Sequence, residues 1–186
     1  MRIIGGQWRG LHLAEVGAGD PKAHLRPTSD RVREAIFNLL VHGRHGDLVT
    51  GRMVLDLFAG TGALGLEALS RGAIAATLVE NGRTAQSLIA QNIAKMRVQG
   101  QVTVLPRDAT KLPAARTPFT LIFLDPPYGQ ALGEAALQSA RTQGWIAPDA
   151  TVVWEEGSAP APPQGFALMD QRRYGDTWVT LLELKP

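Results

Sequence analysis

The chain has 186 residues, 45% hydrophobic and 19% charged, with a formal net charge of +2. That balance excludes a globally disordered chain, and the length suits one α/β domain with a modest appendage better than two complete domains. Cysteine is absent, which excludes disulfides and thiolate metal sites; with no signal-type apolar core at the start and no apolar run of membrane-helix length, a cytoplasmic protein with no membrane partner is expected.

Residues 2–13 read as a short hairpin with Gly5-Gly6 near one end, and residues 16–27 as a loop. This arm is expected outside the main sheet. Residues 1–45 carry seven Lys/Arg against four Asp/Glu, together with all four histidines. So small an excess suits a solvated arm as well as a phosphate-tracking surface. A helix is predicted from Thr28, capped by Thr28 or Ser29, with Val32, Ile36, Leu39 and Leu40 on one face and Gly43 at its end.

After Gly51 strands and helices alternate. Strands are predicted over 53–58, 76–79, 102–105 and 119–124, and helices over 62–70, 83–97 and 131–142. A strand over 151–155, a proline-rich loop and a closing hairpin of strands near 166–171 and 177–184 complete the pattern. Such alternation predicts a doubly wound parallel sheet.

Asp56-Leu57-Phe58-Ala59-Gly60-Thr61-Gly62-Ala63-Leu64-Gly65 puts a glycine-rich turn between a buried strand and a helix, where open α/β sheets bind ligands. Gly60 to Gly65 also satisfies G-x-G-x-x-G, a weak pattern shared with nicotinamide dinucleotide folds. Asp56 would repel a pyrophosphate at that turn but can organise the loop or bind the ammonium of a methionine moiety, which favours S-adenosylmethionine. Glu80 closes the second strand and suits both hydroxyls of a ribose in either cofactor. Asp108 can meet an adenine amino group or cap its own loop.

Asp125-Pro126-Pro127-Tyr128 ends the fourth strand. An exocyclic amine on a base is a poor nucleophile because its lone pair is delocalised into the ring, and methyl transfer requires the nitrogen to become more tetrahedral. The Asp125 carboxylate and the Pro126 carbonyl can accept from its hydrogens, the two prolines fix that carbonyl's direction, and Tyr128 can stack on an extruded base. A strand-ending turn with tyrosine as packing is the reading of the four residues alone; their place at the same sheet edge as the glycine loop favours chemistry. Trp145, Trp154 and Trp178 read as packing residues and Trp8 as either packing or a base platform. No histidine shows a metal-ligand spacing, and no metal is expected.

Together these segments resemble the class I S-adenosylmethionine-dependent methyltransferases, and more closely the bacterial RsmD-type family. The likeness runs through Arg2-Ile3-Ile4-Gly5-Gly6, the stretch from Leu25 to Asn38, Asp56 to Leu69, Asp125 to Tyr128 and Arg173-Tyr174-Gly175-Asp176-Thr177. It implies a Rossmann-like sheet of seven strands with the last antiparallel, an N-terminal arm and helix over 1–45, and a methyltransferase domain over 46–186. It further implies methylation of the N2 amine of a guanine in 16S ribosomal RNA, guanine 966, by a monomer acting within a small-subunit assembly intermediate. S-adenosylmethionine would be held by Asp56, Phe58, Gly60, Gly62, Glu80 and Asn81, with Asp108 and Ala109 bordering adenine; Asn81 stands where the family often carries a charge. Asp125, Pro126, Pro127 and Tyr128 would hold the target base, and Arg2, Arg9, Arg26, Arg31 and Arg33 would contact RNA, unless some of the arginines brace the arm. Alternatives are amino-methylation of DNA adenine or protein glutamine, a nicotinamide-dependent oxidoreductase, which lacks Tyr-x-x-x-Lys here, and a nonenzymatic RNA-binding protein.

Overall fold

A computed structural model describes residues 1–15 and 29–185. The expected loop over 16–27, Arg26 and the alternative cap Thr28 lie outside the described residues. Among those described, seven strands form one sheet: β1 (Met53–Leu57), β2 (Ala75–Val79), β3 (Val102–Leu105), β4 (Phe119–Leu124), β5 (Ile146–Glu156), β6 (Phe166–Tyr174) and β7 (Thr177–Leu184). Their order is β3-β2-β1-β4-β5-β7-β6. Strands β1 to β5 are parallel, and β7 runs antiparallel between β5 and β6. The helices are α1 (Asp30–His42), α2 (Ala63–Ser70), α3 (Arg83–Met96) and α4 (Leu132–Thr142).

Alternate strand residues point to opposite faces, and here both faces are covered, which is why the central strands are nearly all apolar. Val54, Leu121 and Phe123 enter one core with α1, α2 and α3; Leu55, Ile122 and Leu124 enter the other with α4, Trp145 and Trp154. Helix α1 begins where Ser29 Oγ accepts the Val32 N–H at 3.2 Å and ends at Gly43, whose N–H reaches the Leu39 carbonyl. Strand β5 starts earlier than its sequence predicts. Phe119 pairs with Ile146 and Leu121 with Thr151, so two steps along β4 span five along β5, and this irregularity accommodates Pro148.

The arm lies outside the sheet, as expected, with Arg2 and His12 forming an antiparallel bridge. It is docked through α2. Glu67, fully buried, accepts the Ile4 and Gly5 N–H groups at 2.7 and 2.8 Å and the Arg71 Nε at 2.7 Å. Ile3 and Leu13 enter the core on that side. The structure corrects one expectation about this region: Arg33 does not face RNA. It is fully buried, donates to Asp30 Oδ1 at 2.9 Å and to the Arg2 carbonyl, and lies 3.7 Å from Glu67. Arg33 sits on the core side of α1, where a cation persists only if paired; it braces the arm.

Candidate active site

The strand order reverses between β1 and β4, and the chain ends of these neighbours open the crevice in which an α/β sheet binds ligands. Asp56 pairs laterally with Leu78 and Phe123, so the turn after β1 is flanked by Glu80 after β2 and by Asp125 after β4. These residues line one cleft of about 1320 Å³.

The turn itself is made by backbone that glycine tolerates. Gly60 and Gly62 have φ of 56° and 79°, and Phe58 between strand and turn is held at 64°, a left-handed conformation unusual for an aromatic residue. Gly62 faces the core and starts α2, so it shapes the turn without lining the cleft. Gly65 is needed for close approach: a Cβ there would lie 2.4 Å from Leu78 Cδ2. Its N–H donates to Asp56 Oδ2 at 2.9 Å.

Asp56 is 1% exposed, and its Oδ1 is buried with no partner. Burial pushes its carboxyl up to about 7, against the pull of the Gly65 N–H and with the help of the Glu80 charge. An acceptor left open at the wall of a cleft suits a cationic ligand group, and the methionine ammonium of S-adenosylmethionine would satisfy it. Glu80 organises the loops on both sides: Oε2 accepts the Gly60 N–H at 2.8 Å and Oε1 the Gly82 N–H at 2.7 Å. Each oxygen retains a lone pair for a ribose hydroxyl. Phe58, Val79, Glu80, Asn81, Arg107 and Ala109 line a small adjoining recess of about 20 Å³. Asp108 is not among them; it caps the short 3₁₀ turn Ala109–Lys111 by accepting from the Thr110 N–H and hydroxyl, bonds that hold its pKa below the usual value. The acceptors of Asp56 and Glu80 fit the ammonium and ribose groups of S-adenosylmethionine, and Ala109, which Asp108 caps, lies beside them.

Across the cleft stand Asp125, half-buried, the buried Pro126, the exposed Pro127 and Tyr128. The Tyr128 hydroxyl donates to Glu155 Oε1 at 2.9 Å and lies 3.4 Å from Thr177 Oγ1. This fixes the ring as a wall, beside Gly157, where a Cβ would come within 2.9 Å of it. Arg31 lines the cleft, as do Arg83 and Arg173; Arg2 and Arg9 are exposed but stand outside the lining.

Sequence reasoning missed Glu67, Asn92, Glu155 and Thr177. Asn92 is fully buried, bonding the Ala14 backbone through both side-chain atoms and donating to the Thr61 carbonyl at 3.0 Å, so it ties the arm to the glycine turn. A lone polar residue among the apolar positions of a helix was the available signal for Glu67 and Asn92; Glu155 and Thr177 had none. Among the described residues no group of His, Asp and Glu could hold a metal ion, and no helix is long and apolar enough to cross a membrane.

Residues 1–183 match the family model described as conserved hypothetical protein 95. The chain is 37% identical over 179 residues to ribosomal RNA small subunit methyltransferase D of Escherichia coli K12, covering 94% of this chain and 85% of the relative. It is 34% identical over 181 residues to the protein of the same name from Haemophilus influenzae, covering 94% and 89%. A solved Escherichia coli structure, provisionally assigned as a methyltransferase, superimposes with a TM-score of 0.82 at 35% identity, covering 100% of this chain and 98% of that one. With its glycine turn, its paired acidic strand ends and its D-P-P-Y turn on a seven-stranded methyltransferase sheet, the chain belongs to the conserved hypothetical protein 95 family, that of the small-subunit ribosomal RNA methyltransferase D proteins.

Proposed function

We propose that this protein uses S-adenosylmethionine to methylate the N2 amine of a guanine in 16S ribosomal RNA, with guanine 966 as the target. The observation that carries the reading is that Asp125, Pro126 and Tyr128 line the same cleft as Asp56, Gly60 and Glu80. Acceptors for an amine thus face acceptors for a cofactor. The names of the relatives support RNA of the small subunit as the substrate class.

Bound S-adenosylmethionine supplies an electrophilic methyl group on sulfur. Asp56 holds the ammonium end and Glu80 the ribose, with Phe58 and Ala109 bordering the adenine. Asp125 and the Pro126 carbonyl accept the two N2 hydrogens, which turns the nitrogen lone pair toward the methyl group for in-line attack. As the N–C bond forms and the S–C bond breaks, the amine becomes positively charged, and one of its protons leaves to Asp125 or to water. Tyr128 walls the base. Arg31 and Arg173 on the cleft, with Arg2 and Arg9 on the arm, form the phosphate-contacting surface, and the protein acts in the cytoplasm as a monomer on a small-subunit assembly intermediate.

The test is transfer of labelled methyl from S-adenosylmethionine to small-subunit RNA, DNA or protein in parallel reactions. Label in RNA, recovered as N2-methylguanine, is expected. Label in DNA adenine or protein glutamine would overturn the reading in favour of another amino-methyltransferase.

A further inference from the structure

We propose that Glu155 selects guanine by accepting its N1–H, making it a specificity residue of the acceptor site. The inference rests on the base-amine methyltransferase reading above and deepens it. Glu155 lies on β5, outside the D-P-P-Y turn. Leu124 pairs in parallel with Trp154, so Asp125 and Glu155 occupy the next step along neighbouring strands, and both line the cleft. Glu155 is 5% exposed and accepts the Tyr128 hydroxyl at 2.9 Å. A carboxylate offers about four acceptor positions, more than the Tyr128 hydroxyl occupies. Burial, with the Glu155 and Asp125 charges adding to it, pushes the Tyr128 hydroxyl well above its ordinary pKa, which keeps it a donor to Glu155.

Two neighbouring carboxylates and the Pro126 carbonyl form a set of three acceptors on this side of the cleft. Guanine is the base whose edge matches it, because N1–H and the N2 amine present three hydrogens side by side. Adenine and cytosine place a ring-nitrogen lone pair next to their amine, and that lone pair would face Glu155. A buried carboxylate opposed by a lone pair is penalised twice, through lost solvation and lost pairing.

The experiment compares wild type, Glu155→Gln and Tyr128→Phe on small-subunit RNA carrying either guanine or 2-aminopurine at the methylated position. 2-Aminopurine keeps the N2 amine and replaces N1–H by a lone pair. The wild-type enzyme is expected to favour guanine in kcat/KM by roughly 10- to 100-fold, the worth of one charge-assisted hydrogen bond. Glu155→Gln, whose amide can donate to N1, should bring the ratio to within about threefold, losing on guanine and gaining on 2-aminopurine. Tyr128→Phe removes the hydroxyl contact alone and should lower both rates together, leaving the ratio near wild type. The intrinsic difference between the two amines cancels when enzyme forms are compared. An unchanged ratio in folded Glu155→Gln overturns the proposal, as does wild-type enzyme that methylates both bases equally. Failure of wild type to methylate guanine at all would instead overturn the underlying function.

Discussion

With Asp56 as the proposed partner of the methionine ammonium, the cofactor site is expected to be sensitive to pH in a direction fixed by its burial. Its Oδ1 lies buried without a partner, and desolvation raises its carboxyl from 3.8 to about 7. Only the ionised form attracts an ammonium, so apparent affinity for S-adenosylmethionine should follow the ionised fraction. That fraction is roughly 3% at pH 5.5 and roughly 50% at pH 7, giving about a 15-fold gain in affinity across the interval. The ligand ammonium stays largely protonated throughout, since α-amino groups titrate near 7.7–8.0. Titration calorimetry at several pH values, in buffers of differing ionisation enthalpy, reads both the affinity and the proton released on binding. Asp56→Asn should bind more weakly and lose the pH dependence. The contribution of Asp56 to stability without ligand moves the other way: between pH 4 and 7 the folded state holds a proton that the unfolded state has lost, so this contribution is full below about pH 4 and is lost as pH rises through 7. A wild-type affinity that is flat from pH 5.5 to 7 would refute the assignment of Asp56 to the ammonium.

Glu80→Ala removes the proposed ribose acceptor and the bonds to the Gly60 and Gly82 N–H groups; S-adenosylmethionine affinity should fall by roughly 10- to 150-fold in a protein that still folds, as measured by calorimetry. Arg31→Ala should leave thermal stability unchanged and reduce the salt slope of RNA binding by about 0.7, whereas Arg33→Ala should destabilise the fold by about 2–5 kcal/mol because it empties a fully buried site and removes the bonds to Asp30 and the Arg2 carbonyl, while Glu67 keeps Arg71, a contrast read by melting curves and salt titrations. Gly65→Ala forces a methyl group against Leu78 and disturbs the Asp56 bond, so denaturant unfolding should show a loss of about 1–3 kcal/mol.

The fold was legible where local pattern and tertiary role agree. Apolar runs such as 119–124 are strands buried on both faces, and Ser29 and Gly43 bound α1 because their capping chemistry is local. The glycine turn, Glu80 and the D-P-P-Y turn were legible for the same reason: strand ends bring them to one edge. Arg33 was misread because its charge suggested solvent, while its partner Glu67 lies 34 residues away, on α2. Gly62 and Asp108 were assigned to the ligand but spend their special geometry on the backbone. Glu155 and Thr177 carry no local signature. Their part in holding Tyr128 emerges only when β5 and β7 pair, with Glu155 opposite Val179 and Thr177 two residues before it.

The central claim is that Asp125 acts on the amine in the transition state, and single-turnover methyl transfer at saturating RNA and S-adenosylmethionine tests it most directly, with steady-state rates set aside because product release can limit them. Asp125→Ala should slow transfer by roughly 100- to 1000-fold, as for a lost oxyanion-hole donor, while equilibrium binding of cofactor and RNA changes far less. A transfer rate near wild type would contradict the claim. Equal losses in rate and in cofactor binding would contradict it too, by making Asp125 part of the cofactor site.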